Sequence, residues 1–258
     1  GFCGTAIVDM IATADGDLIT GHYSQRYRSS DLGDTWQIIY QAGANCQSSA
    51  NYNRADDGRI FYIQSNATGT VVGDNFTTTV ASVAVGDPAY YSLGTGVNYG
   101  TGDGLFLGHQ RSWDSWRYND LEGFVMFYDN DDASGKPYIR SALGDRDGFI
   151  WIQTSDGKLQ RSTVPADPGT GLLTFAQVGA ADGLLTPQIV SRDGAIYVTD
   201  ASGELWRSVN DGSSFTEVAL RASFTGTGIA LRDIVELASG ALMIGMDNGE
   251  IRQSLDRG

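Results

Sequence analysis

The chain has 258 residues, with 17 Lys+Arg against 31 Asp+Glu and a formal net charge of −14. That acidity argues against nucleic acid or an anionic membrane surface as the main partner, and no apolar run approaches the roughly 18 residues of a membrane span. Aromatic residues make up 10% and are dispersed along the whole chain, so chain-wide disorder does not fit either.

Gly is 34 of 258 and Pro only 5, a mix that favours tight turns between short strands over long helices. In chain order, an apolar strand at 7–12 precedes Asp15-Gly16, which leads into DLITGHY. Ser29 to Trp36 form a polar turn, and Trp36 opens a further strand, QII. Asp57-Gly58 leads into RIFYIQS, and Phe76 opens TTTV. Asp103-Gly104 leads into LFLGHQ. Asp147-Gly148 leads into FIWIQTS, followed by GKLQRS at 157–162 and a strand opened by Phe175. An apolar strand at 189–191 precedes Asp193-Gly194 and AIYVTDA, then GELWRS at 203–208 and a strand opened by Phe215. The last unit has an apolar strand at 234–237, Ser239-Gly240 before ALMIGMD, and GEIRQS at 249–254.

Gly16, Gly58, Gly104, Gly148, Gly194 and Gly240 are therefore 42, 46, 44, 46 and 46 residues apart. A period near 45 with four short strands per unit predicts an all-β, six-bladed β-propeller in which residues 1–258 form a single domain. Each blade is a four-stranded antiparallel sheet. Phe2 to Ile7 align with Phe224 to Ile229, after an outer strand, and the repeat reaches Gly258 before one would begin. Blade six is thus expected to lack its outermost strand, which another chain can supply. The same alignment puts Cys3 and Cys46 at nearly one position in neighbouring blades, so a Cys3–Cys46 disulfide is possible, though equivalent points of adjacent blades can also lie too far apart.

One turn carries a recognisable motif. Ser29-Ser-Asp31-Leu-Gly33-Asp-Thr35-Trp36 reads S-x-D-x-G-x-T-W, and Ser208-Val-Asn210-Asp-Gly212-Ser-Ser-Phe215 is the same with Asn and Phe. Ser254 to Gly258 are its first half. This resembles the Asp-box, or bacterial neuraminidase repeat, of β-propellers. The resemblance implies a sialidase-like fold with the box on the outer rim, away from the ligand face. It spans sialidases, other hydrolases, assembly factors and phage tail or fibre proteins, so it leaves function open.

Ligand-facing loops are expected after each Asp-Gly-led strand. The stretch HQRSWDSWRYND (109–120) is the richest: Trp113 and Trp116 can stack on sugars while Arg111 and Asp114 bind hydroxyls. His22 and His109 share a repeat position and read either as structural or as a pair lining one channel. Asp129, Asp131 and Asp132 are a weak Ca²⁺ candidate beside the simpler reading of a solvated turn; otherwise no cofactor or metal is expected. A sialidase F/Y-R-I-P signature is absent, and if the protein is an enzyme its carboxylates would be Asp9, Asp233 and Glu236 on inner strands. The leading expectation is a non-catalytic module, extracellular or on a virion surface, that binds a glycan or a surface protein, as a phage tail fibre does. A sialidase-like glycoside hydrolase and an assembly scaffold are the alternatives.

Overall fold

A computed structural model of the chain describes residues 10–12, 16–22, 25–31, 33–41, 52–54, 60–63, 68–72, 79–84, 91–93, 104–108, 114–119, 121–129, 135–145, 147–167, 169–178, 186–191, 193–219, 231–236, 240–246 and 251–254. The chain divides into two compact units, Gly1–Tyr138 and Ile139–Gly258. Among the described residues every element is a strand, every strand pairing is antiparallel, and no helix is long and apolar enough to cross a membrane.

The first unit holds three sheets, each a simple meander. They are β1 (Met10–Ala12), β2 (Leu18–His22), β3 (Gln25–Ser29) and β4 (Gln37–Gln41); β5 (Tyr52–Arg54), β6 (Ile60–Ile63), β7 (Thr68–Val72) and β8 (Thr79–Ala84); and β9 (Tyr91–Leu93), β10 (Gly104–Gly108), β11 (Ser115–Asn119) and β12 (Gly123–Tyr128). The second unit holds β13 (Ile139–Gly144), β14 (Ile150–Thr154), β15 (Leu159–Ser162) and β16 (Phe175–Gln177); then β17 (Thr186–Val190), β18 (Ile196–Thr199), β19 (Leu205–Ser208) and β20 (Thr216–Ala219); and a sheet of three, β21 (Leu231–Glu236), β22 (Leu242–Met246) and β23 (Ile251–Ser254). Within each unit, first strands of successive sheets lie side by side: β5 beside β1, and β17 beside both β13 and β21.

One strand expectation shifts. The start of the strand opened by Phe76 lies outside the described residues, which resume with β8 at Thr79. Residues 115–119 of the 109–120 stretch are strand rather than loop, because the third sheet uses Ser115–Asn119 as its third strand, with Trp116 paired to Phe106 and Met126.

Burial explains the apolar second strands of the first two sheets in the second unit. All five residues of β14 are buried, as are all four of β18, because each is covered on both faces. Leu143, Trp151 and Leu159 of one sheet pack on Ile196 and Val198 of the next, joined by Val178, Val190, Trp206 and Phe215. On the other side of that second sheet, Ala195, Tyr197 and Leu205 pack on Ile234, Leu242 and Ile244. Side chains alternate across the pleat, so one sheet supplies both interfaces.

The turns are hydrogen-bonded devices. In the first Ser-x-Asp turn, the Gly33 amide donates to Ser29 Oγ at 2.8 Å and the Thr35 amide to Asp31 Oδ1 at 2.8 Å, while Ser29 Oγ itself donates to Asp31 Oδ1 at 2.7 Å. The second turn repeats the pattern: the Gly212 amide donates to Ser208 Oγ at 2.9 Å and the Ser214 amide to Asn210 Oδ1 at 3.0 Å. Trp36 closes the first turn by donating its Nε1 to the Gly33 carbonyl at 3.0 Å, whereas Phe215 packs between sheets.

The Thr35 hydroxyl and amide and the Ser29 hydroxyl hold the Asp31 carboxyl down from an ordinary 3.8 to about 2. A carboxyl depressed by folding stabilises the turn above its unfolded value and loses that contribution as pH falls through its folded one. Protection of the Thr35 amide against hydrogen exchange should therefore collapse between about pH 4 and pH 2. The Ser214 amide, which donates to an amide side chain that does not titrate, should keep its protection over that window. Equal loss at both sites would contradict the assignment.

A second repeat runs through these sheets. Arg28-Ser29, Arg161-Ser162 and Arg207-Ser208 end the third strand of their sheets. Each serine is nearly fully buried. Each arginine reaches back to an aspartate in the turn between the first two strands: Arg28 to Asp17, Arg161 to Asp145 at 3.1 Å and Arg207 to Asp193 at 2.9 Å.

Candidate functional site

The hairpin between the second and third strands puts the residues it joins at one end of each sheet. In the first unit, His22 closes β2 opposite Gln25, and Asp114 is half-buried just ahead of β11. Trp116, half-buried, follows Ser115 at a register shift in the β11–β12 pairing, where a bulge turns the strand. His109, Arg111 and Trp113 lie outside the described residues, as do Cys3, Cys46, Asp9, Asp131 and Asp132. Asp129 is half-buried at the end of β12. Among the described residues no group of three or more His, Cys, Asp or Glu is placed to hold a metal ion.

Asp233 and Glu236 are three positions apart on β21, opposite Gly245 and Leu242, with regular pairing between them and a register shift just ahead of Asp233. An odd separation sends the two positions to opposite faces of the sheet. Glu236 falls on the face of Ile234, the one that packs on the neighbouring sheet.

In the second unit, two hairpin tips bring charged side chains together. At the tip between β14 and β15, Lys158 Nζ lies 2.8 Å from Asp156 Oδ2. Partial burial works against the Asp156 charge, yet hydrogen bonds from Lys158 and Thr154 and the lysine charge prevail and hold its carboxyl below the ordinary range. At the matching tip between β18 and β19, glutamate replaces the lysine. Asp200 Oδ1 accepts from the Ser202 amide at 2.8 Å and the Glu204 amide at 2.9 Å, and Asp200 Oδ2 accepts from Trp206 Nε1 at 3.3 Å. Trp206 and Glu217 are direct cross-strand partners, so they share one face. Desolvation first, then the Asp200 charge and the Asp200 hydrogen bond, then the Glu217 charge push the Glu204 carboxyl up. Asp200 and Glu217 thus place two further negative charges within range of Glu204, and Asp200 also holds the indole N–H of half-buried Trp206. The signal in the sequence was the exchange of Lys158 for Glu204 at one repeat position, next to an aspartate already spent on the turn.

No family model matches the chain, and no curated protein matches it. Solved structures do. A virginiamycin B lyase from Staphylococcus aureus matches 96% of this chain and 81% of its own at 13% identity, with a TM-score of 0.66. YCF48 bound to D1 peptide matches 98% of this chain and 80% of its own at 13% identity, with a TM-score of 0.64. BBS1N in complex with ARL6DN matches 97% of this chain and 78% of its own at 10% identity, with a TM-score of 0.59. At such identities the likeness concerns the fold: this is an all-β chain of antiparallel sheets with the fold of β-propeller proteins. Those neighbours include a lyase as well as propellers caught with peptide or protein partners.

Proposed function

We propose that the protein is a recognition propeller of six blades, of the Asp-box kind, whose hairpin-tip end binds an extended basic segment of another protein. The observation that carries this is the crowding at Glu204. Desolvation first, and then the Asp200 and Glu217 charges, raise its carboxyl, at the position where the preceding sheet neutralises itself with Lys158. A Lys or Arg side chain arriving there relieves like-charge repulsion that the free protein bears, and Trp206 offers it a ring. The net charge of −14 draws basic partners in from solution. Two of the matched propellers were solved with a peptide or a protein bound, which supports a protein partner.

The test is calorimetric titration of the full chain with lysine- and arginine-rich peptides and their charge-reversed counterparts, at low and high salt. Basic peptides should bind, binding should weaken with salt, and Glu204→Gln should lower affinity by about threefold to tenfold. Mass spectrometry should return the peptides intact. Binding indifferent to both salt and Glu204, or a processed ligand, would reverse this reading. A second reading, glycan binding, draws on Trp116 at its bulge, and a Trp116→Ala variant on a glycan array tests it.

A further inference from the structure

Two hairpins of the second unit are built to one plan. Asp145-x-x-Gly148-x-x-Trp151 joins β13 to β14, and Asp200-x-x-Gly203-x-x-Trp206 joins β18 to β19. In each, the aspartate amide donates to the carbonyl four residues on, at 2.8 Å for Asp145 and 3.1 Å for Asp200. The glycine amide closes the turn onto the aspartate carbonyl at 3.2 and 3.0 Å, and both glycines have φ of 81°. In each, the aspartate Oδ1 accepts two turn amides and its Oδ2 accepts the tryptophan Nε1.

The hairpins differ in what stands opposite the tryptophan. Trp151 is paired with Arg161, and Trp206, beside a register shift, with Glu217. Arg161 donates Nε and Nη2 to Asp145 Oδ2 at 3.3 and 3.1 Å. Its guanidinium lies 3.6 Å from the Phe149 ring centroid and 5.4 Å from that of Trp151. At the second hairpin, half-buried Glu204 takes the place of Phe149 in the plan and exposed Glu217 the place of Arg161. An acidic patch alone names no ligand. The Asp145 hairpin names one, because there the same aspartate and tryptophan hold a guanidinium.

We propose that the Asp200–Trp206 hairpin binds an arginine side chain of another protein, its guanidinium on Asp200 and beside Trp206 as that of Arg161 lies on Asp145 and beside Trp151. This rests on the basic-segment reading and narrows it, since arginine is preferred to lysine. A guanidinium gives two N–H donors in one plane to a carboxylate and lies flat beside a ring, whereas an ammonium is a strongly hydrated point charge. Asp200 is held for this task in advance by two amides and an indole. Glu217 supplies charge where the occupied hairpin supplies its own cation.

Calorimetric titration of the full chain with a short peptide of alternating arginine and glycine tests it, beside the same peptide with lysine or citrulline for arginine. The arginine peptide should bind at least about fivefold tighter than the lysine one, and the citrulline peptide, alike in shape but uncharged, should not bind. Glu217→Arg offers Asp200 a guanidinium from within the chain and should weaken the arginine peptide by at least about tenfold. Glu217→Gln, which removes only the charge, should weaken it by less. Urea unfolding should find Glu217→Arg no less stable than the wild type, and a marked loss would mean that the two hairpins are not equivalent and would sink the assignment. Equal binding of the arginine and lysine peptides overturns it while the basic-segment reading stands. Binding undiminished by Glu217→Arg overturns it too, and silence from both charged peptides overturns both readings.

Discussion

Asp145→Ala should destabilise the protein by about 3–5 kcal/mol, the range for removing one partner of a buried ion pair. Asp145 is 6% exposed and serves five donors. Its Oδ1 accepts from the Asp147 amide at 3.0 Å and the Phe149 amide at 2.9 Å. Its Oδ2 accepts from Trp151 Nε1 at 2.9 Å and from Arg161 Nε and Nη2 at 3.3 and 3.1 Å. Alanine would strip the turn of its acceptor and leave the indole N–H and the guanidinium enclosed together. That guanidinium is fixed by more than charge, since it lies 3.6 Å from the Phe149 ring centroid. Urea unfolding gives the measurement, and a double-mutant cycle with Arg161→Ala should show a coupling above about 1 kcal/mol. Asp145→Asn should fall between the two, because its oxygen still serves the turn amides while its NH₂ cannot accept from Arg161. A loss below about 1 kcal/mol for Asp145→Ala would mean that the cluster is not a structural unit.

Gly212→Ala should cost about 2–5 kcal/mol, more than alanine at the turn glycines Gly16, Gly33, Gly148 or Gly194. Two penalties add. Gly212 has φ of 76°, a left-handed conformation that costs a residue with a Cβ roughly 1–2 kcal/mol. A Cβ there would stand 2.7 Å from Trp151 Cη2, 2.8 Å from Cζ3 and 3.2 Å from Val178 Cβ, all in the neighbouring sheet. Trp151 is fully buried and cannot step aside, so overpacking adds roughly 1–3 kcal/mol. Gly194→Ala is the internal control: its φ is 83°, but a Cβ would meet nothing within 4 Å. That variant should show the conformational part alone. Equal losses at both positions would remove the close approach of turn to indole from the account. The preceding residue adds to the joint, as Asp211 at φ 55° brings its carboxylate 3.9 Å from Arg161.

Much of the strand pattern was legible in the sequence because it repeats. A period-2 apolar run after Asp-Gly has little choice of structure, and the glycine at 16, 148, 194 and 240 takes the left-handed turn each time. The Ser-x-Asp turns were legible for the same reason: their hydrogen bonds close within four residues. Trp116 misled because a tip rich in polar and aromatic residues looks like loop until its partners Phe106 and Met126 are known. The Arg–Asp pairs escaped notice although both halves recur. Their members are 11 to 16 residues apart, and no local rule joins the end of a third strand to a turn two strands earlier.

What the sequence determined by itself was the local vocabulary: six strand-turn units, their capped turns, an acidic balance and the places where a glycine must stand. Those follow from short-range sterics and hydrogen bonding, which act between neighbours in the chain. What only the tertiary structure decided was which side chains meet. Trp151 under Gly212, Asp145 between Arg161 and an indole, and Glu204 beside Asp200 and Glu217 depend on register and on how successive sheets stack. Each depends on distances of a few ångströms between elements that fold separately, and burial and charge act on those distances rather than on sequence spacing.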